Sequence, residues 1–211
     1  MTIDNSLMEA LAAVELRRKE GNETFHENDV PVGKDLLSYW RWSASDLLSN
    51  TERGRLAEYI VAMALDVADG VRSGWEAYDI ETSSGIRVEV KASAYVQTWG
   101  QKALSKIIFG IRPTRAWDPT TNVFAKDSQR QANVYVFAVL AERNQTNVDP
   151  LNLAQWQFYV LPTSVLNDRA PLQKTINLSS LLRMGALIAG YQELREAVER
   201  ASGDLATAEC K

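Results

Sequence analysis

The chain has 211 residues, 45% hydrophobic and 24% charged, with a formal net charge of −4; that is the make-up of one soluble domain with a single core. One histidine (His26) and one cysteine (Cys210) exclude zinc clusters, iron–sulfur cages, disulfide frameworks and any catalytic apparatus built on several His or Cys side chains. What remains for chemistry is carboxylates and lysine, with a hard, oxygen-loving cation where a metal is needed.

In chain order, apolar residues at helical spacing predict an amphipathic helix over 8–19, followed by a polar surface loop around His26. Residues 36–42 are dense in aromatics, with Tyr39, Trp40 and Trp42, and suit a short helix or a packing segment. A helix over 51–68 follows, with Ser45 or Thr51 available as its cap. Between Leu56 and Leu65 its only charge is Glu58, and a helix apolar on nearly every face is expected to be buried. Strands are predicted over 75–82 and 86–92, joined by Ser83-Ser84-Gly85, with Gly85 where a three-residue loop needs a left-handed residue. A third strand is expected over 106–111, a loop over 117–131, a buried central strand over 133–140 and a fifth strand over 156–161. A short helix over 163–168 and a final helix over 178–201 close the chain. The order gives a mixed α/β domain spanning 1–211, a central mixed sheet of about five strands flanked by helices, with 1–44 as an N-terminal helical segment and 178–211 as a C-terminal helix and tail. No run is apolar enough for a signal peptide or a bilayer span, so the expected location is cytoplasmic.

Charge is unevenly distributed. Residues 1–86 carry 8 basic and 16 acidic side chains, 87–130 carry 8 and 3, and 131–211 carry 7 and 8. The basic middle segment is interleaved with Tyr95, Trp99, Phe109 and Trp117, a pattern that suits nucleic acid better than the net charge suggests. Within the hairpin, a three-residue loop sets Thr82 opposite Ile86 and so Asp79 opposite Glu89. Opposed carboxylates on a sheet repel, and a divalent cation between them removes the penalty. Lys91 lies next along the same face. Glu58, isolated on an apolar helix, needs a partner or a metal, with Arg53 or Arg87 as candidate ion-pair partners. Gly54, one turn earlier on its face, leaves room for close approach of a backbone or ligand.

Gly54-x-x-x-Glu58 on a helix, Tyr78-Asp79 in a strand and Glu89-Val90-Lys91 on the next strand together resemble the PD-(D/E)XK nuclease superfamily, whose fold is restriction-endonuclease-like. The matched segment covers about 51–97. The resemblance implies that Asp79 and Glu89 bind Mg2+ or Mn2+, that Lys91 positions or activates the attacking water, and that Glu58 completes the metal shell. Gln97 resembles a glutamine that follows this strand in some subgroups. The implied activity is metal-dependent hydrolysis of DNA phosphodiester bonds, in a restriction, phage-defence, mobile-element or repair setting. Lys102, Lys106, Arg112 and Arg115 are then the expected DNA backbone contacts, with Trp99 or Trp117 available for stacking. The competing expectation is a non-catalytic DNA- or protein-binding member of the same fold. Six tryptophans suit an interface as well as a core, which leaves a homodimer or partner subunit open. A glycine-rich phosphate loop and a nucleophile elbow are both missing, so small-molecule enzymes of those types are not supported.

Overall fold

The computed structural model describes residues 14–72, 74, 76–118 and 121–203. The expected helix over 8–19 falls outside these up to residue 13, and 14–19 carry no helix. The polar stretch around His26 is a hairpin instead of a loop, formed by β1 (Thr24–Glu27) and β2 (Val30–Asp35). Asn28 and Asp29 both take positive φ, at 48° and 66°, the two-residue turn that matches strand twist and that short polar residues tolerate. His26 stays exposed, opposite Pro31. Asp35 then caps α1 (Leu36–Ala44), its carboxylate accepting from the Ser38 N–H at 2.8 Å. No residue of α1 is buried, and Trp42 is 84% exposed.

Ser49, four residues after Ser45 and two before Thr51, caps α2 (Asn50–Ala64) in place of either expected residue. The helix is not buried all round: Arg53, Ala57, Ile60 and Val61 face the core while Tyr59 is 53% exposed. Next come β3 (Ile80–Glu81) and β4 (Arg87–Ala94), joined through Gly85 at φ 86°, the positive φ that the turn requires. The remaining strands and α-helices among the described residues are β5 (Ile108–Gly110), β6 (Trp117–Asp118), β7 (Val123–Phe124), β8 (Val134–Leu140), β9 (Trp156–Pro162), α3 (Thr163–Arg169), β10 (Thr175–Asn177), α4 (Leu178–Arg183), β11 (Leu187–Ala189) and α5 (Leu194–Ser202).

The central sheet is mixed and five-stranded, in the order β11-β9-β8-β4-β3, with β4 and β8 parallel and the other neighbours antiparallel. Its membership differs from expectation at one edge. The strand foreseen over 106–111 is β5, which leaves the sheet to pair with β10. The sheet edge is β11, cut from the middle of what reads as one helix over 178–201. Gly185, at φ 86°, ends α4, and Leu187 to Ala189 pair with β9. The loop foreseen over 117–131 contains the small β6–β7 hairpin.

Both faces of the sheet are covered, which is why all seven residues of β8 are buried. Val88, Val90, Val134, Val136 and Phe158 pack beneath α2 and α5. Tyr135, Phe137, Val139 and Leu161 face β5, β10, α3 and α4. Phe137 is fully buried, with its ring 5.0 Å from that of Phe109. Phe137→Ala is expected to cost about 3–5 kcal/mol in urea unfolding. Alternation along β4 puts Glu89 and Lys91 on this second face, where Glu89 sits beside Tyr135 and Lys91 beside Phe137 in the parallel register.

One cation of the basic middle segment is committed to the fold. Arg130 is 7% exposed and donates to the Ile111 carbonyl, the Asn167 Oδ1 and the Ala170 carbonyl, tying the end of β5 to α3.

Candidate active site

The β3–β4 register pairs Ile80 with Val88 and Glu81 with Arg87, which is the register that brings Asp79 to Glu89. At Asp79 the chain leaves the ladder. Its N–H donates to the Val88 carbonyl at 3.1 Å, and its Oδ2 accepts the Val90 N–H at 2.7 Å in place of a backbone carbonyl. The carboxylate is thereby pinned against the strand that carries Glu89 and Lys91. Asp79 lines two adjoining clefts. One, of about 460 Å3, also holds Arg55, Glu58, Tyr59, Arg72 and Tyr78. The other, of about 200 Å3, holds Tyr78, Glu89, Arg115 and Trp117.

Electrostatic conflict is concentrated at Asp79. Burial first, then the Glu89 carboxylate, push its carboxyl up to about 6, with Glu58 adding to the effect and Lys91 and the Val90 N–H opposing it. For Lys91, burial pulls the ammonium down, but Glu89, Asp79 and Glu58 outweigh it, and the net shift is upward. Lys91 therefore keeps its proton, and it is ion-paired with Glu89. Burial and then Glu89 raise the Tyr135 phenol.

Glu58 stands at the wall of the larger cleft, but its partner is neither Arg53 nor Arg87. Arg72 grips it with two nitrogens, Nε to Oε2 and Nη2 to Oε1, the latter at 3.1 Å. Arg53 is buried and donates to the Leu48 carbonyl, Gln97 Oε1 and Asn50 Oδ1. Gln97 is thus placed apart from the clefts: it is 5% exposed, and its amide is engaged by Arg53 at one end and by the Ala94 carbonyl at the other. Among the described residues, no three His, Cys, Asp or Glu side chains come together closely enough to hold a metal ion. Asp79 and Glu89 share one cleft, and Glu58 is held in the next by Arg72. An all-oxygen donor pair of this kind fits a hard cation such as Mg2+ or Mn2+, which takes one or two carboxylates and completes its shell with water and phosphate oxygens.

Of the four expected backbone contacts, Arg115 reaches the Asp79–Glu89 cleft. The β6–β7 hairpin holds it there, with its Nε donating to the Ala125 carbonyl at 2.6 Å and its guanidinium 5.6 Å from the Phe124 ring centre. Lys102, Lys106 and Arg112 are exposed and do not line either cleft. Sequence reasoning missed Arg72 and Tyr135 as neighbours of the acids, and it gave Tyr78 no part in the cleft walls. Tyr135 was detectable only through the β4–β8 pairing, and Arg72 only through the path of the loop after α2.

No other backbone among the described residues comes close to Gly54, where an added Cβ meets no protein atom within 4 Å. Gly54→Ala is therefore expected to stabilise the protein by about 0.5–1 kcal/mol, read by chemical denaturation, because glycine is a poor residue inside a helix.

The bacteriophage T4 endonuclease IV family model matches residues 23–180, which include α2, the β3–β4 hairpin and every residue named in the two clefts. A search of curated proteins finds no match to the chain.

Proposed function

Because the chain belongs to the bacteriophage T4 endonuclease IV family, we propose that it is a divalent-metal-dependent deoxyribonuclease, built on the PD-(D/E)XK plan, that hydrolyses DNA phosphodiester bonds at the Asp79–Glu89 cleft. Family membership supports the nuclease function. The metal-dependent chemistry rests on one observation: two half-buried carboxylates face one cleft beside a protonated lysine, at the cost of pushing Asp79 up to about 6.

In this reading Asp79 and Glu89 hold Mg2+ or Mn2+. When bound, the cation polarises a phosphate oxygen and lowers the pKa of a coordinated water. Asp79 is oriented for the task by the Val90 N–H. Lys91, which retains its proton, steadies negative charge on a non-bridging phosphate oxygen and orients the water instead of deprotonating it. Arg115 meets the DNA backbone at the cleft. Glu58 completes the outer shell if Arg72 releases it; otherwise it fixes Arg72 at the wall of the larger cleft. No helix among the described residues is long and apolar enough to cross a membrane. A cytoplasmic location and a restriction, defence, mobile-element or repair setting belong to the same proposal, and the exposed α1 aromatics leave a homodimer or partner subunit within it.

The test is incubation of plasmid, linear duplex and single-stranded DNA with the full chain and Mg2+ or Mn2+. Cleavage that disappears in EDTA is the expected result. No cleavage of any substrate, or cleavage that survives EDTA, contradicts the proposal; the former outcome favours a non-catalytic binding member of the fold.

A further inference from the structure

A third cleft, of about 470 Å3, lies where β4 and β8 begin and β9 passes into α3. Its lining differs from that of the Asp79 clefts: Arg87, Arg130, Gln131, Asn133, Thr163 and Ser164 contribute to it, and no aspartate or glutamate does. In a chain of net charge −4, a wall of donors without a carboxylate selects for an anion. Backbone bonding fixes the frame. Asn133 accepts from the Arg87 N–H through Oδ1 at 2.9 Å and donates its own N–H to the Arg87 carbonyl at 2.8 Å, and its carbonyl accepts the Thr163 N–H at 2.9 Å. Two buried polar atoms of this wall, Gln131 Nε2 and Thr163 Oγ1, have no hydrogen-bond partner, and Thr163 is 95% buried as a residue. Orphaned buried donors are rare and call for a reason; an acceptor-rich phosphate in the cleft supplies one.

The cleft shares no lining residue with the Asp79 clefts, but Arg87 links them through β4 and Tyr78. Arg87 and Glu89 lie on the same face of β4, about 7 Å apart at strand rise, so a strand held at Glu89 brings a neighbouring phosphate within reach of the Arg87 side chain. The Arg87 guanidinium lies 5.8 Å from the centre of the Tyr78 ring, and Tyr78 lines both Asp79 clefts.

We propose that this cleft binds a backbone phosphate of the DNA strand that is cut at Asp79 and Glu89, flanking the scissile phosphodiester. The inference rests on the nuclease reading, but its test does not need cleavage. A labelled oligonucleotide is titrated in EDTA across a salt series against wild type, Arg87→Ala, Gln131→Leu and Thr163→Val, with melting temperatures taken in parallel. Removing one phosphate contact flattens the slope of log K against log salt by about 0.7–0.9. Arg87→Ala is expected to weaken binding about tenfold and to flatten the slope by about that much, while Thr163→Val weakens binding several-fold at an unchanged or higher melting temperature. Wild-type affinity and slope in Arg87→Ala and Gln131→Leu, both melting like the wild type, overturn the proposal. Inorganic phosphate at low ionic strength is the second arm. An Arg87-dependent rise in melting temperature with phosphate, combined with an unchanged oligonucleotide slope, also overturns it, by assigning the cleft to a free anion. Failure of the nuclease reading shows differently, as absence of metal-dependent cleavage while the Arg87-dependent salt slope persists.

Discussion

Asp79→Asn is expected to abolish metal-dependent cleavage and, in EDTA, to melt above the wild type. The two effects share one cause. An acid whose folded-state pKa stands at about 6, above its ordinary 3.8, is penalised in the folded state when ionised. That penalty is absent below about pH 3.8, grows as pH rises through about 6, and is fully present at pH 7. The amide carries no charge and keeps the oxygen that accepts the Val90 N–H, so it removes the penalty while leaving the strand edge capped. At 1.36 kcal/mol per unit, the rise from 3.8 to about 6, in which the shielding from Lys91 is already included, makes the gain on the order of 3 kcal/mol, or roughly 6–12 °C for a domain of this size. Scanning calorimetry should show the gap between variant and wild type narrowing from pH 7 to pH 5. Saturating Mg2+ or Mn2+ should also narrow it, because bound cation offsets the repulsion only in the wild type. A variant that melts below the wild type in EDTA at pH 7 contradicts this electrostatic account of the site.

Lys91→Ala carries the second large effect. The ammonium is held protonated by Glu89, Asp79 and Glu58, so its value lies in charge stabilisation, and removing one such donor from a reacting centre costs about 10²–10³ in kcat. In the proposed function the residue acts on charge that develops during the reaction, so KM should change much less than kcat. The variant also strips Glu89 of its ion-pair partner, leaving the two carboxylates to repel each other. Its melting temperature in EDTA should fall below that of the wild type, and divalent metal should raise it by more. Cleavage kinetics with Mg2+, alongside melts with and without metal, check both halves. A variant with kcat near the wild-type value removes Lys91 from the chemistry.

The hairpin that builds this site was legible because its determinants are local. Gly85 marks the turn, the loop length fixes the register, and the register alone brings Asp79 to Glu89. The long apolar run of β8 was legible for the same reason. What failed depended on distant partners. Leu187 to Ala189 read as helix because the residues on both sides keep a helical rhythm; only pairing with β9 and the left-handed Gly185 make them a strand. Residues 106–111 read as a sheet strand, and their apolar pattern is the same whether the partner is β4 or β10. The Asn28-Asp29 turn was a readable signal that a polar, seemingly loop-like composition concealed. At the site itself, the acids and Lys91 could be placed from strand alternation, whereas the Arg72 grip on Glu58 spans 14 residues and an irregular loop. Gln97 follows Lys91 as in the motif, while its side chain bonds Arg53 and the Ala94 carbonyl, contacts that a motif position does not disclose.

In the proposed function Asp79 and Glu89 form a divalent-cation site. Anomalous diffraction from a crystal of the full chain soaked in Mn2+ tests it directly. One strong peak is expected in the cleft between these carboxylates, ringed by oxygen ligands, and no such peak in Asp79→Asn. A manganese peak elsewhere with this cleft bare, or an unchanged peak in the variant, would contradict it.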